Sequence, residues 1–113
     1  MESCIFCKII KGEISAEVVY KDDSLVVIKD INPQAPVHVL VVPRKHIPSI
    51  TDEAATHGEL LASIFKTIKK LSESLNLEKG FRIVINNGEE GGQTVSHIHF
   101  HLLGRRLMSW PPG

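Results

Sequence analysis

The chain has no net charge: thirteen Lys and Arg offset thirteen Asp and Glu. No block of basic residues supplies the field that a nucleic-acid or membrane-surface binder needs, so a large polyanion is not an expected partner. Apolar runs of membrane-spanning length are missing, and Met1-Glu2-Ser3-Cys4 does not open a basic segment followed by an apolar stretch. The expected location is therefore the cytoplasm. Cysteine is scarce, and the two present, Cys4 and Cys7, lie too close together to staple a domain, which excludes a disulfide scaffold. Internal repeats and low-complexity tracts are also lacking. What remains is ordinary globular composition, 42% hydrophobic and 23% charged over 113 residues. That is too apolar for a disordered chain and the right length for a single domain, residues 1–113, with one core.

Ser3, the run Cys4 to Lys11 and then Gly12 predict a short amphipathic helix, capped by Ser3 and stopped by Gly12. The β-branched runs Glu17 to Tyr20 and Ser24 to Ile28 flank Lys21-Asp22-Asp23 as a hairpin would. Val37 to Val42 reads as a third strand closed by Pro43. Leu60, Leu61, Ile64, Phe65, Ile68, Leu71 and Leu75 recur at steps of three and four, predicting a long helix over Asp52 to Asn76 with one buried stripe; Gly80 ends the segment. Phe81 to Ile85 and Val95 to Leu103 give two more strands around a loop from Asn86 to Gln93. Short connections leave no room for repeated helical crossovers. The fold class is α+β, a roughly five-stranded antiparallel sheet with one long and one short helix, and not Rossmann-like.

Most of the functional information sits in Val95-Ser96-His97-Ile98-His99-Phe100-His101-Leu102-Leu103. Side chains alternate along a strand, so His97, His99 and His101 face one way while Ile98, Phe100 and Leu102 face the other. Imidazole is a poor strand filler, and three in a row favour site chemistry over packing. Metal binding is one reading, since paired histidines two apart can share a zinc. Yet same-face neighbours lie roughly 6.6 Å apart, so three can barely converge on one ion. A relay around a central nucleophile suits the row better. Neutral imidazole attacks phosphorus well near neutral pH and forms covalent intermediates. His99 is then the candidate nucleophile: a backbone carbonyl accepting its Nδ1 proton would free the Nε2 lone pair, and its neighbours would bind phosphoryl oxygens or protonate an amine leaving group. Directly upstream, Asn86-Asn87-Gly88-Glu89-Glu90-Gly91-Gly92-Gln93-Thr94 offers backbone amides that suit a bound phosphate, although alone it reads as a flexible loop.

With its HIHFHLL run, the sequence resembles the histidine-triad family of nucleotide hydrolases and transferases. The likeness extends to Ile5-Phe6-Cys7-Lys8-Ile9-Ile10, Asp30 to Pro36, Pro43-Arg44-Lys45-His46-Ile47, Gly91-Gly92-Gln93 and the closing Trp110-Pro111-Pro112-Gly113, which tilts it toward the Hint-like nucleoside phosphoramidase branch. The resemblance implies a homodimer whose sheets join into one. It also implies hydrolysis of purine nucleoside 5′-phosphoramidates through a nucleotidyl-histidine, with no cofactor required for catalysis. By position, His99 matches the nucleophile, His101 a phosphate-binding and proton-handling residue, His97 an orienting residue and His38 a fourth histidine. Asn86, Gly92 and Thr94 match phosphate contacts, and Asp30 matches the acid on the ribose hydroxyls. Phe6, Ile9, Ile28 and Ile31 match an apolar base pocket, for which plain core is an equal reading, and Trp110 a tail residue reaching the partner's active site. Thr94 stands where serine is common. Cys4 and Cys7 are absent from many relatives in that branch; in others such cysteines join two histidines, here matching His46 and His97, around a structural zinc.

Three functions follow from these features. The leading one is an enzyme substituting at an α-phosphorus. The others are a purine nucleotide-binding regulatory module and a metal-dependent hydrolase using the histidine row as ligands.

Overall fold

Strict alternation of apolar side chains in the central strands decides how the molecule layers. The computed structural model describes residues 3–113, the side chain of Glu53 excepted. The elements are α1 (Ile5–Ile10), β1 (Val18–Lys21), β2 (Leu25–Lys29), β3 (Val37–Pro43), a 3-10 turn (Glu53–Thr56), α2 (Gly58–Ser74), β4 (Phe81–Val84) and β5 (Phe100–Gly104). The five strands form one sheet in the order β1-β2-β3-β5-β4, every pair antiparallel. Leu25, Val27, Val39, Val41, Phe100 and Leu102 point to one face and pack with Ile64, Ile68 and Leu71 of α2. Val26, Ile28, Leu40 and Val42 point to the other and pack with Phe6 of α1. The second face also carries His38 and His101, because each keeps the parity of Leu40 in the β3/β5 register. Among the described residues no helix is long and apolar enough to cross a membrane.

Four expectations are corrected. The N-cap of α1 is Cys4, whose Sγ accepts the Cys7 N–H at 3.4 Å, rather than Ser3. The long helix starts later than Asp52: His57 is extended, and the Asp52 carboxylate caps the 3-10 turn through the Ala54 N–H instead. It also ends earlier, at Ser74, where Asn76 takes the left-handed conformation (φ 58°). The Leu77 N–H then reaches the Ser72 carbonyl and the Asn76 N–H that of Glu73, a Schellman closure; Gly80 follows only later. Within α2, Phe65 is 51% exposed at the margin of the buried stripe, although its ring meets Phe100 edge-on.

The fourth correction bears on the site. Strand pairing of β5 begins at Phe100, not at Val95. The cause lies opposite, at Pro43, which has no N–H to give to a facing chain. Its carbonyl is taken by His97 Nε2 at 2.7 Å, and the Ile98 N–H turns to the Ile47 carbonyl at 2.7 Å. The facing alternation survives the loss of pairing: Ile98 lies in the core with Phe100 and Leu102, while the rings of His97 and His99 meet Phe6 of α1 on the opposite side.

Candidate active site and metal centre

The backbone gives each histidine of the row a different fate. His97 is fully buried. Its Nε2 must carry the proton it donates to the Pro43 carbonyl, so its Nδ1 is a bare lone pair. That lone pair lies 3.4 Å from Cys4 Sγ, 3.6 Å from Cys7 Sγ and 3.1 Å from His46 Nδ1, while His46 Nδ1 lies 3.2 Å from Cys7 Sγ. All four donor atoms fall within 4.8 Å of one another. Zinc bonds of about 2.3 Å to sulfur and 2.0–2.1 Å to nitrogen give tetrahedral edges of roughly 3.3 to 3.8 Å. The four spacings, 3.1 to 3.6 Å, lie within or just below that edge range, and Cys₂His₂ is a structural zinc donor set, so the residues fit the ion. Burial, and next the adjacent Cys4, pushes the Cys7 thiol up, a direction that a bound cation would reverse.

His99 is aimed differently. Its Nδ1 donates to the His97 carbonyl at 2.7 Å, so in the neutral ring the free lone pair is on Nε2. Phe6 meets the ring edge-on at 4.9 Å between centroids, and the His101 ring lies 5.1 Å away. The residue is 7% exposed.

His101 and His38 are diagonal neighbours on β5 and β3, since Leu40 faces His101 and His38 faces Leu103. The Gln34 N–H donates to His38 Nδ1 at 3.0 Å, which forces the His38 proton onto Nε2. His38 Nε2 then donates to His101 Nδ1 at 2.9 Å, so the His101 proton sits on Nε2. Asp30 Oδ2 lies 3.3 Å from His38 Nε2, and its Oδ1 accepts the Asn32 N–H at 2.8 Å. Burial, then the neighbouring His99 and His38, lowers His101 to about 4 against the opposing pull of Asp30. Burial likewise lowers His38 and His97. Asp30, His38 and His101 offer a second set of grouped donor atoms. Here, however, the ring centroids stand 5.2 Å apart, about the 2.9 Å contact plus the two ring radii, so the nitrogens point at each other and not at a shared ion.

The remaining predicted residues spread around this centre. Phe6 and Ile28 are core, Ile9 is half-buried against the same cluster, and Ile31 projects into solvent at 98% exposure. Asn86 is half-buried and Thr94 exposed, in the loop before the histidines. Gly92 adopts φ 78°, and a side chain on neighbouring Gly91 would overlap the Asn87 backbone. Trp110 is 80% exposed, with the Arg82 guanidinium 6.0 Å above its ring. A concavity of about 360 Å³, lined in part by Cys4, His46 and Thr94, adjoins the Cys/His cluster, and one of about 710 Å³ lies where the chain enters β4 and leaves β5, beside Gly80 and Arg105; His99 lines neither. Three groups escaped the sequence reading. The Gln34 N–H and Pro43 carbonyl are backbone atoms with no residue signature. The Asn87 side chain, which accepts the Ile50 N–H at 3.0 Å, sat unremarked inside the recognised loop.

A HIT domain model matches residues 11–108. The crystal structure of a HIT family hydrolase from Legionella pneumophila superposes with a TM-score of 0.94 at 51% identity, over 98% of this chain and 100% of that one. An uncharacterized HIT-like protein of Synechococcus elongatus is 47% identical, covering 99% of this chain and 98% of its own. A 14 kDa zinc-binding protein of Zea mays is 45% identical, covering 96% and 87%. The chain belongs to the histidine triad, or HIT, family.

Proposed function

We propose that this protein is a hydrolase of the Hint-like branch that cleaves the P–N bond of purine nucleoside 5′-phosphoramidates. The observation that carries the reading is the 2.7 Å hydrogen bond from His99 Nδ1 to the His97 carbonyl, which in the neutral ring makes Nε2 the nitrogen with the free lone pair. Nε2 attacks the α-phosphorus, forming an N–P bond as the P–N bond to the amine breaks. The departing amine takes a proton from His101 Nε2, and His101 must enter this step as an imidazolium, protonated as the anionic phosphoryl group binds beside it, so that it returns to the neutral ring when the amine leaves. Water then hydrolyses the nucleotidyl-histidine, releasing the nucleoside monophosphate. The loop Asn86–Thr94 supplies phosphate contacts through Asn86, Gly92 and Thr94, and Asp30 the ribose contact. Phe6, Ile9, Ile28 and Ile31 form the base side. The hydrolase name of the Legionella relative supports the class.

Cys4, Cys7, His46 and His97 would hold a structural zinc, a reading supported by the tetrahedral spacing of their donor atoms and by the zinc-binding maize relative. The ion would tie α1 to the segments around β3 and β5. In this reading the protein is a homodimer: β4 forms an open edge of the sheet with Phe81 exposed on it, where a second copy would continue the sheet and Trp110 would reach the partner's site.

Mass spectrometry of enzyme quenched during turnover of adenosine 5′-monophosphoramidate tests the chemistry. One nucleoside monophosphate on the peptide containing His99 is expected, together with a loss of turnover of at least about 10⁴-fold in His99→Ala. Undiminished activity in that folded variant would overturn the assignment.

A further inference from the structure

The two cysteines of the chain, both free thiols, differ in what can reach them. Cys4 is half-buried and lines the concavity of about 360 Å³ with His46, Thr94, Val95 and Ser96, whereas Cys7 is 7% exposed and is not among its walls. Cys4 is extended at the N-cap (φ −78°, ψ 117°), so its side chain folds back over the first turn of α1, where Sγ accepts the Cys7 N–H at 3.4 Å. The two sulfurs lie 3.4 and 3.6 Å from one nitrogen, His97 Nδ1, and within 4.8 Å of each other. Side chains three apart inside a helix are held about 5–6 Å apart at Cβ, too far for a disulfide, which needs about 3.8 Å. An N-cap residue is free of that spacing, so this pair can close.

We propose that Cys4 is a site of oxidation by hydroperoxides and that Cys7 resolves it to a Cys4–Cys7 disulfide. Cys4 Sγ attacks the terminal oxygen of a hydroperoxide in the concavity: an S–O bond forms, the O–O bond breaks, and the leaving oxygen departs as an alcohol, or as water from hydrogen peroxide, with the Cys4 proton. Cys7 Sγ then attacks the Cys4 sulfur. The S–S bond forms, the S–O bond breaks, and hydroxide leaves as water with the Cys7 proton. The two sulfurs are oxidised, the peroxide is reduced, and no further reactant is needed. Exposure fixes the order, since the oxidant meets Cys4 first and Cys7 is covered. The consequence for metal rests on the zinc reading above. A disulfide offers no thiolate, so two of the four donors are lost and α1 is released from the segments around β3 and β5. In the loaded protein the departing oxygens take their protons from solvent.

The test treats zinc-loaded protein, its metal content fixed by elemental analysis, with one equivalent of hydrogen peroxide beside a chromophoric chelator. One zinc should appear for each peroxide consumed, and the intact mass should fall by two hydrogens. Peptide mapping should join Cys4 to Cys7 within one chain, and a dithiol reductant with added zinc should reverse all three changes. With the metal chelated, iodoacetamide should label Cys4 at least about tenfold faster than Cys7, as their exposures require. In Cys7→Ser the oxidised Cys4 has no resolving thiol, so dimedone, which captures sulfenic acids, should mark it; the mass and mapping of the native chain do not depend on that variant folding. Both thiols still reduced after the peroxide is spent, equal labelling of the two cysteines, or oxidation past the sulfenic acid without a disulfide would each overturn the proposal. A chain that takes up no zinc yet forms the disulfide would sink the zinc reading alone.

Discussion

Withdrawing the metal should loosen the molecule at a definable place. Cys7 and His46, two of the proposed zinc ligands, lie 39 residues apart, and closing a loop of that size is worth about 4 kcal/mol in chain entropy. The element so tied is six residues long, far too short for a helix to persist by itself. Without the ion, α1 keeps mainly the burial of Phe6, a contribution of about 2–3 kcal/mol. Since part of the closure entropy returns as native-state motion, chelation is expected to cost about 2–4 kcal/mol, or roughly 8–16 °C in the melting midpoint at this chain length. Calorimetry of zinc-loaded and chelated protein checks this, with elemental analysis giving one zinc per chain. Cys7→Ser should melt near the chelated temperature and respond little to added chelator. A loaded protein whose midpoint moves by less than about 3 °C on complete zinc removal would refute the reasoning.

The pH dependence of stability carries a fixed sign. His101 titrates near 4 in the folded chain, below the ordinary 6.5, so the unfolded chain binds a proton first as pH falls. Its contribution is complete above pH 6.5 and disappears by pH 4. After discounting for partial exposure, about 2 kcal/mol should be lost across that window; urea midpoints should fall less steeply there in His101→Gln, with His38 and His97 still contributing, and an unchanged slope would contradict the assignment. Asn76→Gly should raise stability by about 0.5–1 kcal/mol, because φ 58° strains a residue with a Cβ; a drop in the denaturant midpoint would count against the Schellman closure. Gly91→Ala should displace Asn87 and free the Ile50 N–H, lowering the midpoint by about 2 kcal/mol and raising KM for the phosphoramidate. An unaltered KM would detach this loop from phosphate binding.

Much of this architecture can be read from local pattern. The continuous β-branched runs Leu25–Lys29 and Val37–Pro43 supply apolar side chains to both faces of the sheet, and the stripe Ile64, Ile68, Leu71 sets the covering helix. Element ends are where the reading slipped, for local reasons. An asparagine, Asn76, takes the helix-ending role expected of Gly80, and a thiol takes the cap expected of the Ser3 hydroxyl. Pro43 was legible as the end of its own strand, but its effect on the strand across from it was not. Nearest-neighbour chemistry can be deduced from a sequence; the partner of a carbonyl 54 residues away depends on register, which emerges only when the sheet is assembled. The same holds for Gln34, whose functional atom is one that every residue except proline possesses.

Three chemically identical side chains on one face present different free nitrogens because each meets a different partner. A carbonyl at Nε2 leaves His97 with a lone pair at Nδ1, suited to the proposed metal. A carbonyl at Nδ1 leaves the neutral His99 ring with its lone pair at Nε2, as the proposed nucleophile requires. A second imidazole donating to Nδ1 leaves His101 with its proton on Nε2, where the proposed proton transfer would use it. The His97 residue serves both sides of this division, its ring on the cysteines and its carbonyl on His99. Displacement of that ring therefore cannot leave the nucleophile's tautomer untouched, and a His97→Ala variant should lose zinc and also blur the acid-base behaviour of His99. By contrast His46→Ala, which removes one ligand and no part of the carbonyl bond, should lose zinc while retaining the nitrogen NMR signature of a proton on His99 Nδ1. If both variants kept that signature equally sharp, the metal centre and the nucleophile would be independent neighbours.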